Sequence, residues 1–316
     1  MHQTLELSKE QILELQKQLQ NHPQVAPPQY ALFRIKSQGV TITGYQSGKL
    51  LFQGPNAPAL AQAWSKKLGL DPQMEVLAQE TSPRRAKPSQ VDYNRLIHIG
   101  SDEVGNGSYF GALTVCAVYV NLQQIALLKE LGVQDSKNLS DTSIKNLAWQ
   151  IKASVPYHLT ICNPPQYNRA NQKMNANAIK AVLHNFTLIK LWQKLDSDQQ
   201  AALQMTLMDQ FAPEKTYAKY LQNEAHHYPN PITFQKKAES QSVAVAAASI
   251  LARDAFLASL DKLGKPFGLV LPSGASPNVD QIGKQLVKAH GKQVLGQVAK
   301  LHFANTEKIL GQSNKG

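Results

Sequence analysis

The sequence predicts an α/β protein in which helices pack on a mixed β-sheet, preceded by a smaller α+β unit. Three observations support this fold class. Apolar runs typical of strands alternate with helical periodicity from about residue 91 to residue 312. This region begins with two strands joined by a glycine turn, which favours an antiparallel hairpin within the sheet. A polar, proline-containing stretch separates it from a shorter N-terminal part that has strands and helices of its own.

The N-terminal unit is predicted to hold a three-stranded meander between two helices. Leu5, Ile12, Leu15 and Leu19 recur at helical spacing and predict a helix over residues 4–20, with Ser8 as a candidate cap. Three strands and a second helix follow, at 30–35, 40–43, 50–53 and 57–68.

The stretch QETSPRRAKPSQ, residues 79–90, marks a domain boundary. It contains two prolines, three cations and no large apolar residue, a composition typical of a solvated linker. We therefore predict an N-terminal domain at 1–78, a linker at 79–92 and a larger domain at 93–316.

The larger domain is predicted to alternate strands with helices. The predicted strands lie at 96–101, 111–120, 156–162 and about 203–208. The predicted helices lie at 122–130, 140–153, 175–195, 240–260, 278–289 and 293–304.

The composition indicates a basic protein without a disulfide framework. Lysine and arginine number 33 against 22 aspartates and glutamates, a net charge of +11, which attracts polyanions such as nucleic acids. A basic enzyme without a polyanionic partner has the same composition. Cys116 and Cys162 lack the spacing of a metal site. The N-terminus lacks the apolar region of a secretory signal, and no apolar run is long enough to span a bilayer. We therefore expect a cytoplasmic protein that does not enter a membrane.

Asp102 and Glu103 stand where the apolar strand around residues 96–101 runs into a glycine turn. Successive strand residues point to opposite faces, so both carboxylates can serve one site only at a strand end, where the turn lets both swing inward. Gly105 and Gly107 permit that turn and let a ligand approach the backbone. The alternative is a solvated acidic hairpin turn, but the apolar flanks favour a functional pair.

Two further carboxylates stand at the ends of predicted elements. Asp209 follows the apolar run Leu203–Met208, and Glu239 begins a predicted helix rich in small residues. Each alone is compatible with an ordinary strand end or helix start. Together with Asp102 and Glu103 they provide the hard oxygen ligands that magnesium prefers. Two such ions can activate a water and stabilise the leaving oxygen in phosphodiester hydrolysis.

Five segments resemble ribonuclease HIII, a member of the ribonuclease HII/HIII group. DEVGNG at 102–107 resembles the group's DEVG-x-G signature, and DSKNL at 135–139 resembles its DSK-x-L segment. MDQF at 208–211 and AES at 238–240, followed by VAVAAASILAR, resemble two later blocks. TGYQSGKLLFQG at 43–54 resembles the N-terminal domain that ribonuclease HIII has and ribonuclease HII lacks.

The resemblance implies an RNase H-like mixed sheet flanked by helices, preceded by a substrate-binding domain similar to half of a TATA-box-binding protein. It also implies an endoribonuclease that hydrolyses the RNA strand of RNA–DNA hybrids with two Mg²⁺ or Mn²⁺ ions, leaving 5′-phosphate and 3′-hydroxyl ends. Carried over by position, the metal ligands and catalytic residues are Asp102, Glu103, Asp209 and Glu239, with Asp102 bridging the ions.

The resemblance further implies substrate contacts. The turn Gly105–Asn106–Gly107 would meet ribose 2′-hydroxyls, which distinguish RNA from DNA. Ser136 and Lys137 would hold a phosphate. Tyr45 and Lys49 would contact the nucleic-acid backbone.

Alternatives remain at this stage. Asp254, in the helix that follows Glu239, is a rival fourth ligand, and Asn106 stands where ribonuclease HII usually carries arginine. His184 and Asn185 are interpreted as surface or packing residues. The function could instead be ribonuclease HII-type cleavage at a single embedded ribonucleotide, or hybrid binding without catalysis. We expect a monomer, and nothing in the sequence indicates a protein partner.

Overall fold

A computed structural model describes residues 2–19, 25–26, 31–45, 48–68, 91–134, 136 and 139–311. The chain divides into two compact units, Met1–Ser89 and Gln90–Gly316, and each is considered by itself. Most of the predicted linker, at 79–90, lies outside the described residues.

The first unit is a four-stranded antiparallel sheet with two helices. Its strands are β1 (His2–Glu6), β2 (Ala31–Ser37), β3 (Val40–Tyr45) and β4 (Lys49–Gln53), in the order β1-β4-β3-β2. Its helices are α1 (Lys9–Gln18) and α2 (Ala57–Lys67). Apolar side chains of the helices and the sheet form one core, among them Ile12, Ile35, Ile42, Leu50 and Phe52.

The prediction of a helix over residues 4–20 is wrong about where the helix begins. Residues 2–6 form β1 and pair with β4, from His2 opposite Gln53 to Glu6 opposite Lys49, so the sheet has four strands and not three. The helix begins after Ser8, because Ser8 and Gln11 form a reciprocal capping box that satisfies two backbone N–H groups. A five-residue strand that pairs with a distant partner carries too short a pattern for periodicity to resolve.

The second unit contains a five-stranded mixed sheet in the order β7-β6-β5-β8-β9. These strands are β5 (His98–Val104), β6 (Leu113–Val120), β7 (Tyr157–Cys162), β8 (Met205–Asp209) and β9 (Thr233–Gln235). β5, β6 and β7 pair antiparallel, whereas β8 runs parallel to both β5 and β9. The predicted fold class, a mixed sheet with packed helices, is confirmed.

Ten helices belong to the described part of this unit. They are α3 (Leu122–Glu130), α4 (Asp141–Ser154), α5 (Pro164–Asn171), α6 (Ala176–Trp192), α7 (Ser197–Ala202), α8 (Glu214–Leu221), α9 (Val243–Gly264), α10 (Pro277–His290), α11 (Leu295–Val298) and α12 (Asn305–Leu310). The sequence did not predict α5, α7, α8, α12 or the three-residue β9.

The predicted helix at 293–304 is wrong beyond Val298. Ala299 has extended backbone angles and bridges Phe110, and the Lys300 N–H donates to the Tyr109 carbonyl at 2.8 Å. These bonds tie the chain to the segment that follows the glycine turn. The tertiary pairing therefore ends a helix that the local periodicity would have continued.

The alanine-rich helix α9 packs across β5 and β6 and is buried on nearly all sides. Gly100 of β5 permits this close packing, because a Cβ atom there would overlap the backbone of Ala244 and Val245. The expectation that no apolar run is long enough to span a bilayer is wrong for Val243–Phe267, which has the length and composition for it, but 78% of its most apolar window is buried inside the protein. The burial identifies α9 as a core helix, and its N-terminus is thereby held close to β5.

Candidate active site

Asp102 and Glu103 lie on β5, where pairing with one neighbouring strand has ended and pairing with the other continues. The parallel ladder to β8 ends at Ser101 opposite Met208, but the ladder to β6 runs on to Val104 opposite Thr114. Because the strand continues, the expectation that both carboxylates swing inward at its end is wrong. Asp102 points towards α9 and Glu103 towards α6, as their contacts show.

Glu103 is held by two residues of α6. Lys180 Nζ lies 3.1 Å from Glu103 Oε1, and His184 Nε2 lies 3.0 Å from Oε2. The side chain of Glu103 is only 12% exposed, and those of Lys180 and His184 are 6% and 0% exposed. The carboxylate is thus buried against donors on both oxygens.

Asp102 is buried on the other face of β5. The Ser249 side chain of α9 hydrogen-bonds its carboxylate, and Asp102 Oδ1 accepts the backbone N–H of Glu103 at 2.8 Å. Ser136 lies behind this pair, with its hydroxyl 2.8 Å from that of Ser249. Ser136 is therefore linked to Asp102 through one serine. Lys137, its predicted partner in phosphate binding, lies outside the described residues.

Asp209 is the last residue of β8 and lies next to Asp102. The parallel register pairs Ser101 with Met208, so Asp102 and Asp209 are the next residues along the two strands. Asp209 Oδ1 accepts the backbone N–H of Ala238 at 2.9 Å. Glu239 is the following residue and is 6% exposed. This contact brings Glu239 to the edge where the pairing of β5 with β8 ends.

Glu239 lies in a short 3₁₀ turn, Ala238–Ser240, and not in the first turn of α9 as the sequence indicated. The helix begins three residues later, at Val243, capped by Ser242. Lys237, just before the turn, has a φ of 55° in the left-handed region that non-glycine residues rarely adopt. Lys237 is exposed, and its carbonyl accepts the Ser240 N–H at 3.1 Å and the Ser240 hydroxyl at 2.8 Å, which hold the turn that carries Glu239.

Asp102 and Glu103 have different electrostatic surroundings. Burial raises the pKa of Asp102 well above its usual value, and the charges of Glu103 and Asp209 raise it further against the opposing Ser249 hydrogen bond. Burial also acts to raise the pKa of Glu103, but the hydrogen bonds and charges of His184 and Lys180 outweigh it and lower that pKa. Glu103 is therefore the more readily ionised member of this neighbouring pair.

Among the described residues, no group of three or more His, Cys, Asp or Glu side chains is arranged so that it could already hold a metal ion. The carboxylates share one edge of the sheet but are not drawn together. Buried carboxylates that share one edge repel one another when they are ionised, and a bound cation would offset that repulsion. The donor set consists of carboxylate oxygens, which suit Mg²⁺ and Mn²⁺.

The glycine turn follows directly after Glu103 and Val104. Gly105 has a φ of +98°, and a Cβ atom there would overlap the Ala112 carbonyl, so only glycine fits. Gly107 has open space around it, and both Asn106 and Gly107 are exposed. The turn thus presents its backbone to solvent beside the carboxylates.

The two residues predicted to contact substrate in the first unit flank the hairpin between β3 and β4. Tyr45 ends β3 and is half-buried, and Lys49 begins β4 and is exposed. The Gly48 N–H donates to the Tyr45 carbonyl at 3.0 Å and closes the turn. Both side chains therefore lie at one end of the four-stranded sheet.

Asp254, the rival fourth ligand, is engaged elsewhere. It lies eleven residues beyond the start of α9, roughly 16 Å along the helix axis. Its carboxylate is 2.7 Å from Lys152 Nζ of α4. This ion pair gives Asp254 a structural role away from the edge formed by β5 and β8.

The sequence analysis missed Lys180 and His184 as site residues. His184 had been interpreted as a surface or packing residue, but it is fully buried and bonds Glu103. Asn185 is indeed a packing residue, since its amide binds the His226 carbonyl and the Tyr228 N–H. The available signal was two polar residues four positions apart on the apolar side of a helix, which places them one above the other.

Comparisons with known proteins agree with this arrangement. The ribonuclease HII family model matches residues 99–306, and a domain of unknown function (DUF3378) matches residues 2–75. Ribonuclease HIII of Enterococcus faecalis is 43% identical over 279 residues, 88% of either chain, and that of Bacillus licheniformis is 42% identical over 288 residues, 91% of this chain and 90% of the relative. The crystal structure of Bst-RNase HIII in complex with Mn²⁺ is similar with a TM-score of 0.69 and 36% identity, covering 100% of both chains.

The mixed sheet, the carboxylates at its edge and the match over residues 99–306 define a metal-dependent ribonuclease H enzyme. The chain has two units, and it is similar to ribonuclease HIII proteins over most of their length. The chain belongs to the ribonuclease HIII family.

Proposed function

We propose that the chain cleaves the RNA strand of RNA–DNA hybrids at the edge formed by β5 and β8. Asp102, Glu103, Asp209 and Glu239 are assigned as ligands of two divalent cations and as the catalytic residues. One observation carries this proposal. Carboxylates from three separated chain segments share one edge of the sheet beside an exposed glycine turn, connected by the Asp102–Asp209 register and the Ala238–Asp209 hydrogen bond.

The residues present fit magnesium or manganese. All four ligands offer carboxylate oxygens, and the pKa of Asp102 is raised by burial first and by the charges of Glu103 and Asp209 second, charges that a cation would offset. When bound, two such ions activate a water as nucleophile and stabilise the leaving oxygen, which yields 5′-phosphate and 3′-hydroxyl ends.

The protein's own residues orient the ligands. Ser249 holds Asp102, the Ala238 N–H holds Asp209, and α6 holds Glu103. Each of these carboxylates thus keeps a definite orientation before a cation arrives. Pre-oriented ligands reduce the reorganisation required when the metal and the substrate bind.

Substrate recognition is assigned to the glycine turn and to basic groups. Gly105, Asn106 and Gly107 present backbone groups that can meet ribose 2′-hydroxyls, the feature that distinguishes RNA from DNA. Ser136 and Lys137 are assigned to a phosphate of the substrate. The net charge of +11 supplies the attraction towards the nucleic-acid backbone.

The first unit is assigned to substrate binding as well. We assign residues 1–78 to this substrate-binding domain, residues 79–92 to a linker and residues 93–316 to the catalytic domain. Tyr45 and Lys49 lie at one end of its sheet. An exposed cation and an aromatic side chain are the groups that commonly contact a nucleic-acid strand. We further propose that the protein acts as a monomer in the cytoplasm.

A cleavage assay tests the proposed function. End-labelled RNA–DNA hybrid, DNA duplex, RNA duplex and a DNA duplex with a single embedded ribonucleotide are incubated with the protein in Mg²⁺, in Mn²⁺ and in excess EDTA. We expect metal-dependent cleavage of the hybrid RNA strand and none of the two uniform duplexes. Preferred cleavage at the single ribonucleotide would indicate ribonuclease HII-type activity, and hybrid binding without cleavage in either metal would reject catalysis.

The ends of the products provide a second criterion. A product that polynucleotide kinase cannot phosphorylate until phosphatase has removed its 5′-phosphate carries the expected end. Asp209→Asn serves as the matched control, because it changes one proposed ligand by a single functional group and should bind hybrid without cutting it.

A further inference from the structure

Two buried groups of α6 meet the two oxygens of Glu103. Lys180 and His184 lie four residues apart on one face of the helix, so their side chains emerge one above the other. Lys180 Nζ is 3.1 Å from Oε1 and His184 Nε2 is 3.0 Å from Oε2. Each oxygen of a carboxylate has two lone pairs. The α6 contacts use one on each oxygen and leave the others for a further ligand.

Lys180 and His184 are in turn fixed by other contacts. Phe211 lies beneath both, with the Lys180 Nζ atom 4.3 Å from its ring centroid and the His184 ring stacked at 5.4 Å and 19°. His184 Nδ1 is 2.8 Å from Ser101 Oγ of β5. Phe211 follows Asp209 by two residues, so the cluster connects β5 and α6 with the segment that follows β8.

A buried lysine is costly to retain for packing alone. Lys180 is 5% exposed, and an apolar residue of similar length would fill the same volume without the cost of desolvating a charge. Its charge is placed against a carboxylate at the cation-binding edge, where it limits the directions that the carboxylate can adopt. Local geometry therefore indicates a role in directing Glu103.

We propose that Lys180 and His184 are positioning residues, which hold the Glu103 carboxylate in the single orientation that it needs to bind a divalent cation. They act through Glu103 and do not touch the substrate or the ion. This inference rests on the assignment of Glu103 as a metal ligand in the proposed function.

Paired substitutions separate positioning from packing. His184→Gln retains an N–H donor at the position of Nε2, whereas His184→Met fills the space without a donor. Mn²⁺ binding is measured on the free protein by electron paramagnetic resonance of unbound Mn²⁺, and turnover is measured on hybrid at saturating metal. We expect His184→Met to lose about 10- to 100-fold in Mn²⁺ affinity or in kcat, the range typical of groups that orient metal ligands, and His184→Gln to stay within about threefold of wild type.

A second pair guards against a folding defect in the first. Lys180→Met removes the charge and keeps an unbranched side chain one atom shorter, and we expect kcat to fall about tenfold or more while the KM for hybrid changes by less than about twofold. Lys190→Met is the control, because Lys190 lies on the same helix but contacts Gln193 and the Phe186 ring instead. It should leave both Mn²⁺ binding and turnover unchanged.

The outcomes distinguish the alternatives. If the Gln and Met variants of His184 behave alike, or if losses of activity track losses of thermal stability across all four variants, the positioning role is overturned. If wild-type protein fails to cleave hybrid but the Mn²⁺ affinities follow the expected pattern, the proposed function fails while the positioning role stands. If hybrid is cleaved and every variant binds Mn²⁺ and turns over as wild type does, only the positioning role fails.

Discussion

Neighbouring carboxylates in β5 differ because they point to different faces of the sheet. Glu103 meets Lys180 and His184, which outweigh its burial and lower its pKa. Asp102 meets a serine and lies near two other carboxylates, and its pKa is raised by burial first and by their charges second. Two carboxyl groups in adjacent positions thus have pKa values shifted in opposite directions by their surroundings. Glu103 is therefore more readily ionised than Asp102.

The fourth ligand is expected to be Glu239 and not Asp254. Glu239→Gln should lose most of its turnover at every Mg²⁺ concentration, because a carboxamide is a poor ligand for a divalent cation. Asp254→Asn should keep most of its turnover, since Asp254 pairs with Lys152 on α4. The measurement is a Mg²⁺ titration of hybrid cleavage by both variants. The reverse pattern would move the ligand to Asp254, and circular dichroism must show that both variants fold as wild type does.

Lys300 predicts a distinct pH dependence of stability. It is fully buried, and burial lowers its pKa to about 7 although the Cys162 charge acts to raise it. Its Nζ atom donates to the Gly111 carbonyl at 2.7 Å. Between pH 7 and the ordinary lysine pKa of about 10.4, the unfolded chain holds a proton that the folded chain has released. The contribution of Lys300 to stability therefore rises with pH across this window and is lowest below pH 7.

Lys300→Met should remove this dependence. As the pH rises from about 7.5 to 9.5, the free energy of unfolding of wild type minus that of the variant should increase by at most about 1.4 kcal/mol per pH unit. Urea unfolding of both proteins across that range measures the difference. Cys162 and Tyr167 lie nearby, but burial raises their pKa values to about 11 and about 12, and their contribution is common to both proteins. Parallel pH curves would show that Lys300 stays protonated in the folded protein.

At the scale of elements, the turn between β5 and β6 serves two purposes through different glycines. Gly105 adopts a φ of +98° and leaves no room for a Cβ atom beside the Ala112 carbonyl. Gly107 has open space around it. The first glycine is required for the chain to turn, and the second keeps the turn accessible.

Alanine substitutions separate these purposes. Gly105→Ala should lower the free energy of unfolding by about 1–3 kcal/mol, since the backbone conformation is strained for a residue with a Cβ atom. Gly107→Ala should change it by less than about 0.5 kcal/mol, as at an unconstrained surface position, but should weaken hybrid binding if a ribose packs against the turn. Denaturant unfolding and hybrid affinity of the two variants provide the measurements. Equal stabilities would mean that the turn can relax around Gly105.

Elements differ in how far the sequence predicts them. β5, β6 and β7 carry apolar runs, and α9 carries a long helical pattern, so periodicity located all four within a few residues. β9 has three residues and exists because β8 offers it an edge. β1 likewise forms by pairing with β4. Such short strands depend on their partners for stability and leave little local pattern.

At the scale of the whole molecule, we expect the first unit to contribute mainly to hybrid binding and the second unit to carry out turnover. Residues 1–85 contain nine lysines and arginines against six acids. Their deletion should weaken hybrid binding more than it lowers kcat. Each lost phosphate contact should also reduce the log–log salt slope by about 0.9, the value for B-form DNA. Binding isotherms at several salt concentrations, with kcat at saturating hybrid, test this division. An unchanged dissociation constant and salt slope would assign the first unit another task.

The sequence by itself determined the two-part organisation, the mixed α/β class and the four carboxylates proposed as ligands, because these depend on composition, on periodicity and on short segments typical of a family. Only the tertiary structure decided that Asp102 and Glu103 face different helices, that Glu239 reaches the site from a 3₁₀ turn, and that Lys180 and His184 hold Glu103. Those two residues stand 77 and 81 positions from Glu103 along the chain. The energy of a charge or a hydrogen bond depends on distance in space and on burial, and folding sets both.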